Sequence, residues 1–485
     1  EGFDDPALNA QVESAISGNL DVRAAWARLA QGLARVKAQG AAALPQIEAG
    51  LGVAGRRFYV QQPDLSAVDV TQGLDNIDVP LTRQARDVAN FDLSVAASWE
   101  ADLWGRIASL EDAALHDQLA NREELSALLL SLAGQVVETW FLVAEHHALA
   151  ELLRQQIAAS HALLELVEMR FVQGMAQAIE LRQQRQQVSS VEAELPLVEG
   201  RLETLRTRLA MLSGQTPNEM PGEQAEALPE PPPLPNVGLP IDLLTRRPDV
   251  RSSRLRLVAA DHRVGAAIAD QFPALRLSGS VGFSDEAVDT LFLSWLYNLG
   301  ANLVAPLFDG GRRSAEVERS RAVVEERMSA FGQVVLVALK EVEDSLVLEA
   351  RQVEHLEALE RSVAQARETL QNAKVRYVGG LSDYLPVLAA LQTLQGAERR
   401  QLSAKRQRLS YRVQLHRALG GTWAADIEPP PIEGPKELAD EQDEAAPKSS
   451  EGADQEVKSM HAEPTREPAA SGDAEPEVHD SPESS

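Results

Sequence analysis

The sequence predicts an α+β membrane protein. The chain is a tandem duplication that gives four strands to a β-barrel shared with copies of itself, and it carries long antiparallel coiled-coil helices. Three observations predict this. Two stretches of about 65 residues place apolar residues at coiled-coil spacing. Four shorter stretches alternate apolar and polar residues, and the whole arrangement occurs twice at nearly constant offsets.

The second long helix states the helical case best. From Arg312 no proline occurs until Pro386, and Gly332 is the one glycine before Tyr377. Apolar or small residues fall at Val317, Val324, Met328, Phe331, Val335, Ala338, Val342 and Ser345. After a first gap of seven the spacing alternates four and three, which is a coiled-coil seam. At about 1.5 Å per residue, a helix over 312–377 spans roughly 95 Å. Gly379-Gly380 then breaks it, and a helix over 384–419 returns. The first half repeats the pattern with helices over 106–171 and 178–213, and with a seam at Leu125, Leu129, Leu132, Val136, Thr139 and Val143.

Strands are expected at 46–58, 91–99, 274–284 and 297–306. Ile47, Ala49, Leu51 and Val53 alternate with Glu48, Gly50, Gly52 and Ala54, and Arg56 follows. Phe91, Leu93, Val95, Ala97 and Trp99 alternate with Asp92, Ser94, Ala96 and Ser98. Leu275, Leu277, Val281 and Phe283 alternate with Arg276, Ser278, Ser280 and Gly282. Tyr297, Leu299, Ala301, Leu303 and Ala305 alternate with Asn298, Gly300, Asn302 and Val304. Period two gives each strand one apolar and one polar face. A strand of about 9–11 residues is long enough to cross a bilayer when tilted. Phe58, Phe91, Trp99, Phe283 and Tyr297 sit near strand ends, where an aromatic girdle belongs. The same alternation would suit the edge of a soluble sandwich. What favours a barrel is that the hairpin occurs twice, each time followed by a rod. Four strands close no barrel, since the smallest need about eight, and lipid does not tolerate an open edge. Copies of the chain must therefore complete it: two would give a filled barrel, three an aqueous lumen.

The duplication also sets the boundaries. Gly105-Arg106 matches Gly311-Arg312, and Arg170 to Gly174 matches Arg376 to Gly380, both at an offset of 206. Asp21-Val22-Arg23 matches Asp249-Val250-Arg251, and Leu44-Pro45 matches Phe272-Pro273, both at 228. The first repeat is read as 1–228, a Pro-rich linker as 229–240, the second repeat as 241–427 and an acidic tail as 428–485. In the tail roughly 17 acids face 4 bases, so it is expected to be a disordered, solvated spacer. Each repeat is read as helix, strand, loop, strand, long helix, returning helix.

Composition narrows the classes. A hydrophobic fraction of 44% supports a large folded body, and an aromatic fraction of 4% suits long helical packing. The absence of cysteine excludes disulfides and thiolate metal sites. The net charge of -27 argues against nucleic acid as a partner. No uncharged apolar run reaches transmembrane-helix length, since Gln135 and Glu138 interrupt the densest stretch, Leu125 to Val143. The opening Glu1-Gly2-Phe3 reads as a processed or trimmed end. No Walker loop, zinc-protease helix, serine elbow or EF-hand loop occurs, so no catalytic, cofactor or metal residue is expected. Adjacent His146 and His147 point about 100° apart on a helix and do not converge on a metal. Trp26, Trp104 and Trp140 read as packing residues.

Several motifs carry a family resemblance. They are Arg246-Arg247-Pro248-Asp249-Val250-Arg251, Phe272-Pro273 before a strand, Pro306-Leu307-Phe308-Asp309-Gly310-Gly311 before the long helix, and Arg376-Tyr377 with Gly380. Asp102-Leu103-Trp104-Gly105-Arg106 is the counterpart of the Phe308 motif in the first half. From Phe3 to Trp423 the chain resembles the TolC/OprM family, in particular the OprM-type outer-membrane subunits of resistance-nodulation-division efflux systems. The resemblance implies a homotrimer with a 12-stranded outer-membrane barrel and a periplasmic tunnel of helices. It implies a passive exit channel for small molecules that docks a periplasmic adaptor and an inner-membrane transporter, and a lipid anchor in an N-terminal segment outside this sequence. The same architecture would serve an exit duct for type I protein secretion. A periplasmic coiled-coil scaffold without a pore is the reading from another class.

The resemblance also assigns sites. Gly174, Gly379 and Gly380 mark the tips that meet the adaptor, within 170–180 and 376–388. Family members often carry aspartates just past the second tip, but here those positions hold Pro386 and Ala389, with Asp383 nearer the turn. The aperture is therefore expected to close by packing of Leu385 and Leu388, with Asp383 and Arg376 at its rim. Pro386 is expected to bend the returning helix. Glu180, the comparable acid of the first half, reads as a solvated helix residue. Glu48, Arg56, Asp92, Ser94, Arg276, Asn298 and Asn302 are expected to face the lumen.

Overall fold

The computed structural model describes residues 3, 5–63, 81–216, 227–235 and 243–420; the acidic tail lies outside the described residues. The first half opens with α1 (Pro6–Gly18) and α2 (Leu20–Gly40), two helices where one is expected. Asn19 makes the corner. Its side chain accepts hydrogen bonds from the backbone of Asp21 and Val22, and its Nδ2 donates to Leu212 O at 2.9 Å. Gly18 lies so close to Ser213 O that a Cβ there would clash with it at 2.2 Å.

Next come β1 (Gln46–Pro63), β2 (Leu81–Ala101), α3 (Arg106–Val172) and α4 (Ala178–Leu212). The second half contributes α5 (Leu243–Arg246), α6 (Pro248–Ala269), β3 (Ala274–Asp285), β4 (Trp295–Val304), α7 (Arg312–Val378) and α8 (Leu385–Ala418). β1 and β2 run 18 and 21 residues, far beyond the expected limits. Their register is unbroken from Gln46↔Ser98 to Pro63↔Leu81, while β3 begins to pair with β2 only at Phe91↔Asp285. The outer ten residues of this hairpin therefore stand about 30 Å clear of any third strand. β4 begins and ends two residues earlier than expected; its end precedes Pro306, which has no N–H to donate to a ladder.

The sheet order is β1-β2-β3-β4, antiparallel throughout. The helices beneath follow the same order: α2 packs on α3, α3 on α6, and α6 on α7. α3 and α7 have 67 residues each, about 100 Å of helix. The returning α4 and α8 have 35 and 34, so they cover only the half next to the turns. That shortfall explains the two seams. The expected seam of α3 is buried throughout, from Leu125 to Val143, against α1, α2, α4 and α8. On α7, Val317, Ala338, Val342 and Ser345 are buried, but Met328 is 59% exposed. Among the described residues α3 is the one helix long and apolar enough to cross a membrane, and 61% of its apolar window is buried by its own neighbours. Trp140 and Phe141 centre that core. The Trp140 indole donates to Asp5 Oδ2 at 3.1 Å, and Phe3 meets Phe141 edge-on at 5.1 Å. Each such fully buried large side chain stabilises the fold by about 1.5–3 kcal/mol.

Candidate functional site

The sheet has two chemically distinct faces, fixed by register. Residues directly opposite each other in an antiparallel pair share a face. Glu48 lies opposite Ala96, Arg56 opposite Val88, Asp92 opposite Gly52 and Ser284, Ser94 opposite Gly50 and Gly282. Asn298 lies opposite Ser280, and Arg276 opposite Glu100 and Asn302. All seven residues expected on the lumen side thus share one polar face. At its base Glu100 accepts from Arg106 at 2.7 Å and from Arg276 at 3.3 Å, joining β2, β3 and the start of α3. Higher up, Asn90 donates to Asp92 at 2.9 Å and to Ser284 at 3.0 Å. Glu48 and Arg56 make no ion pair among the described residues. The other face carries Ile47, Leu51, Val53, Leu93, Val95, Phe283, Tyr297 and Leu299, with Leu51 76% and Leu299 83% exposed. A single sheet with one wet face and one bare apolar face is stable only when lipid or protein covers the apolar side.

The far ends of the helical hairpins form the second site. Both turns close with the same pair of hydrogen bonds. Gly174 N donates to Phe171 O and Met175 N to Arg170 O; Gly380 N donates to Tyr377 O and Leu381 N to Arg376 O. This is a Schellman cap. It needs positive φ at Gly174 (72°) and Gly380 (71°). Gly379 lies at φ -73°, in the ordinary helical region, so only one glycine of its pair serves the reversal.

Beside the turns the two hairpins are pinned together. Arg170 Nη1 donates to Val378 O at 2.9 Å, with the guanidinium 4.5 Å above the Tyr377 ring. The Tyr377 hydroxyl donates to Glu180 Oε2 at 2.8 Å, so Glu180 is a bonded residue of the lock and not a solvated one. Tyr384 packs edge-on to Tyr377 at 5.7 Å, and its hydroxyl donates to Gln184 Oε1. Burial, with the nearby Glu180 charge, pushes both hydroxyls up, Tyr377 to about 12. Behind them lies a buried amide layer. Gln184 donates to Ser160 O at 2.6 Å, Gln187 to Gln395 Oε1 at 3.0 Å, Gln392 to Gln187 at 2.7 Å and Gln395 to Ser160 Oγ at 3.2 Å. Gln184 and Ser160 are fully buried. No hydropathy pattern in the sequence marks this layer.

The four expected aperture residues are arranged differently from one another. Arg376 and Asp383 are exposed, Leu385 is 61% exposed, and Leu388 packs at the border of the cluster formed by Val167, Tyr384, Val387 and Leu391. Within one chain, apolar packing at the tip belongs to that cluster and not to Leu385. Pro386 occupies the first turn of α8, where no main-chain hydrogen bond is lost, so the expected bend does not arise there. Among the described residues no cluster of histidine and acidic side chains could hold a metal.

A family model described as outer membrane efflux protein matches residues 12–215 and 239–421. The chain belongs to the outer membrane efflux protein family. The family's other members extend the match. The pyoverdine export outer membrane protein OpmQ of Pseudomonas putida is 32% identical, over 88% of each chain. The solvent efflux pump outer membrane protein SrpC, also of Pseudomonas putida, is 28% identical over 87% of each. Among solved structures, the outer-membrane channel OprN superposes with a TM-score of 0.79 at 27% identity, covering 87% of this chain and 92% of its own. The outer membrane protein VceC of Vibrio cholerae gives 0.71 at 25%, covering 86% and 97%. The chain is therefore an outer-membrane protein with the fold of the efflux channels, its helices extending into the periplasm. The family consists of channel and efflux proteins, not enzymes.

Proposed function

We propose that three copies of this chain form a passive exit channel for small molecules, the outer-membrane member of a tripartite efflux pump. One observation carries the reading: an unclosed four-stranded sheet, polar on one face and apolar on the other, stands on helical hairpins about 100 Å long. Three copies supply 12 strands, enough for a barrel with a water-filled interior. Glu48, Arg56, Asp92, Ser94, Arg276, Asn298 and Asn302 then line that interior, and the apolar face meets outer-membrane lipid. The tips at Gly174 and at Gly379-Gly380 face the periplasm and meet an adaptor, which couples the channel to an inner-membrane transporter. The exposed apolar residues Val172, Met175, Val378 and Leu381 give the adaptor its surface. Arg376, Asp383, Leu385 and Leu388 ring the aperture around the channel axis. The chain itself consumes no energy. The cargo class follows the relatives, one named for pyoverdine export and another for solvent efflux.

The test is reconstitution in a planar bilayer together with cross-linking. Discrete conductance steps and a trimeric cross-linked species are expected. A purified chain that is monomeric and soluble without detergent overturns the reading, and a non-conducting trimer leaves only a scaffold.

A further inference from the structure

The polar face of the sheet changes character where the sheet meets the helices. A cavity of about 430 Å³ lies there, lined by Glu100 of β2, Arg276 of β3, Arg313 of α7 and the rings of Trp104, Phe272 and Phe308. Each ring comes from a different connection. Trp104 follows β2, Phe272 precedes β3, and Phe308 follows β4. The volume falls within the roughly 300–1,000 Å³ usual for small-molecule sites.

The three rings stay partly bare. Trp104 stacks on Phe272 at 4.9 Å, and its indole N–H donates to Pro273 O at 2.8 Å. Even so, the two residues remain 51% and 46% exposed, and Phe308 is 93% exposed. Three wet rings around one cavity leave apolar surface for a ligand to cover. The charges say which ligand. Every acid of the wall is engaged: Glu100 accepts from Arg106 and Arg276, Asp102 accepts from Ala108 N at 2.8 Å, and Asp270 accepts from Arg313 at 3.0 Å. Arg276 is different. It reaches Glu100 through Nε alone, at 3.3 Å, and its side chain is 65% exposed. Neither of its Nη groups has a partner among the described residues. A guanidinium with both terminal amines free is a fork that fits a carboxylate.

We propose that this cavity is a transit site for aromatic carboxylates: the planar ring of the ligand covers the bare aromatic surface, and its carboxylate takes the two Nη groups of Arg276. The inference rests on the reading that the polar face lines a channel, and it names a class of cargo for that channel. Ring and fork must act together. A neutral molecule of the same shape gives up the fork, and a cation meets the guanidinium as a like charge. Water competes for the carboxylate at an exposed arginine, so the complex is weak. Passage requires that, since a tightly held molecule would not leave.

The test is equilibrium dialysis of the full chain in detergent against matched empty micelles, with 2-naphthoate as the probe. Uptake above the micelle background is expected, with 2-naphthylmethanol and 2-naphthylmethylammonium each bound about 10-fold more weakly. Arg276→Gln should lower the affinity for 2-naphthoate about 10-fold or more. Phe308→Ala should lower it several-fold, and Arg276→Lys should keep part of it. Arg57→Gln, on the other face of the sheet, should leave it unchanged. Light scattering confirms that each variant keeps the oligomeric state of the parent. Conductance of the same samples separates this claim from the channel reading. A conducting trimer with no uptake above background, as when a neighbouring copy fills the cavity, overturns the site and leaves the channel standing. Equal uptake of the three probes, or an Arg276→Gln variant that binds like the parent, also overturns the site. A chain that binds 2-naphthoate through Arg276 but does not conduct keeps the site and overturns the channel.

Discussion

Tyr377 donates its hydroxyl hydrogen to Oε2 of Glu180 at 2.8 Å, joining two hairpins whose contacting residues lie 197 positions apart in the chain. A hydrogen bond to a charged group contributes about 1.5–3 kcal/mol, and leaving a buried partner unpaired costs a similar amount. Tyr377→Phe removes the donor while keeping the ring under Arg170. We expect the closed tip to lose about 10-fold or more in population, since 1.4 kcal/mol is a factor of ten. Single-channel recordings should show longer or more frequent open states. Unchanged gating in both Tyr377→Phe and Glu180→Gln would mean that the lock holds no part of the aperture.

The same bond has a pH signature. Burial first, and the bond to Glu180 second, push Tyr377 from 10.0 up to about 12. Below about pH 10 both the docked and the undocked tyrosine keep their proton, so the full docking stability is present. Between about 10 and 12 the undocked form releases its proton and the docked form does not, so stability falls as pH rises. Channel opening should therefore increase across that window, and increase less in Tyr377→Phe, where the raised Tyr384 hydroxyl alone remains. Tyrosinate absorbance, compared between the two proteins, locates the titration.

How far the sequence reveals the molecule depends on what hydropathy encodes. The seam from Leu125 to Val143 and the strand from Phe91 to Trp99 are legible because burial or lipid enforces one face. The outer hairpin, Ala54–Pro63 with Leu81–Asn90, escapes the pattern. Its residues Arg56, Arg57, Arg83 and Arg86 are exposed on both faces, so pairing there leaves no alternation to read. The tip fails for a different reason. Gln184, Gln187 and Gln395 look like solvated helix residues, and their partners come from a helix some 200 positions away. Pro386 suggests a bend only if the helix is taken to start earlier than Leu385. Duplication was the strongest clue, because it turns one hairpin into two.

Deep between α7 and α8, Arg412 and Glu349 form an ion pair with side chains 3% and 4% exposed, and Arg412 also donates to Pro232 O. Removing one partner of such a pair strands the other charge and costs about 3–5 kcal/mol. Glu349→Gln should lower the thermal midpoint clearly, and Arg412→Met with Glu349→Leu should recover most of the loss. Circular dichroism at 222 nm measures both. A single variant as stable as the parent would show that water reaches the pair.

Gly379 and Gly380 are adjacent but not equivalent. Gly380 lies at φ 71° with open space where a methyl group would sit, so its requirement is conformational alone. Gly380→Ala should cost about 1–2 kcal/mol at the turn, the penalty for a left-handed residue with a Cβ. Gly379→Ala, at φ -73°, should cost far less. Hydrogen exchange at the amides of 378–388 reports the difference, and equal loosening in both variants would contradict the backbone assignment.

Arg56 and Arg57 are neighbours on β1, and the register sends them to opposite faces. Arg56 shares the polar face with Asp92 and Glu48, while Arg57 lies opposite Asp87 on the other and is bonded to it through both carboxylate oxygens at 2.5 Å. If the polar face lines the lumen, the two substitutions must differ. Arg56→Gln removes an uncompensated positive charge from each copy's share of the wall, so permeability should shift towards cations. Arg57→Gln acts outside the lumen, and screening at about 10 Å in 0.1 M salt hides it from the permeating ion. Reversal potentials in a salt gradient, recorded for both variants at low and high ionic strength, distinguish them. The Arg56 effect should shrink as salt rises. Equal shifts from both arginines, or a shift from Arg57 alone, would place the apolar face on the water-filled side, which no barrel in lipid could sustain.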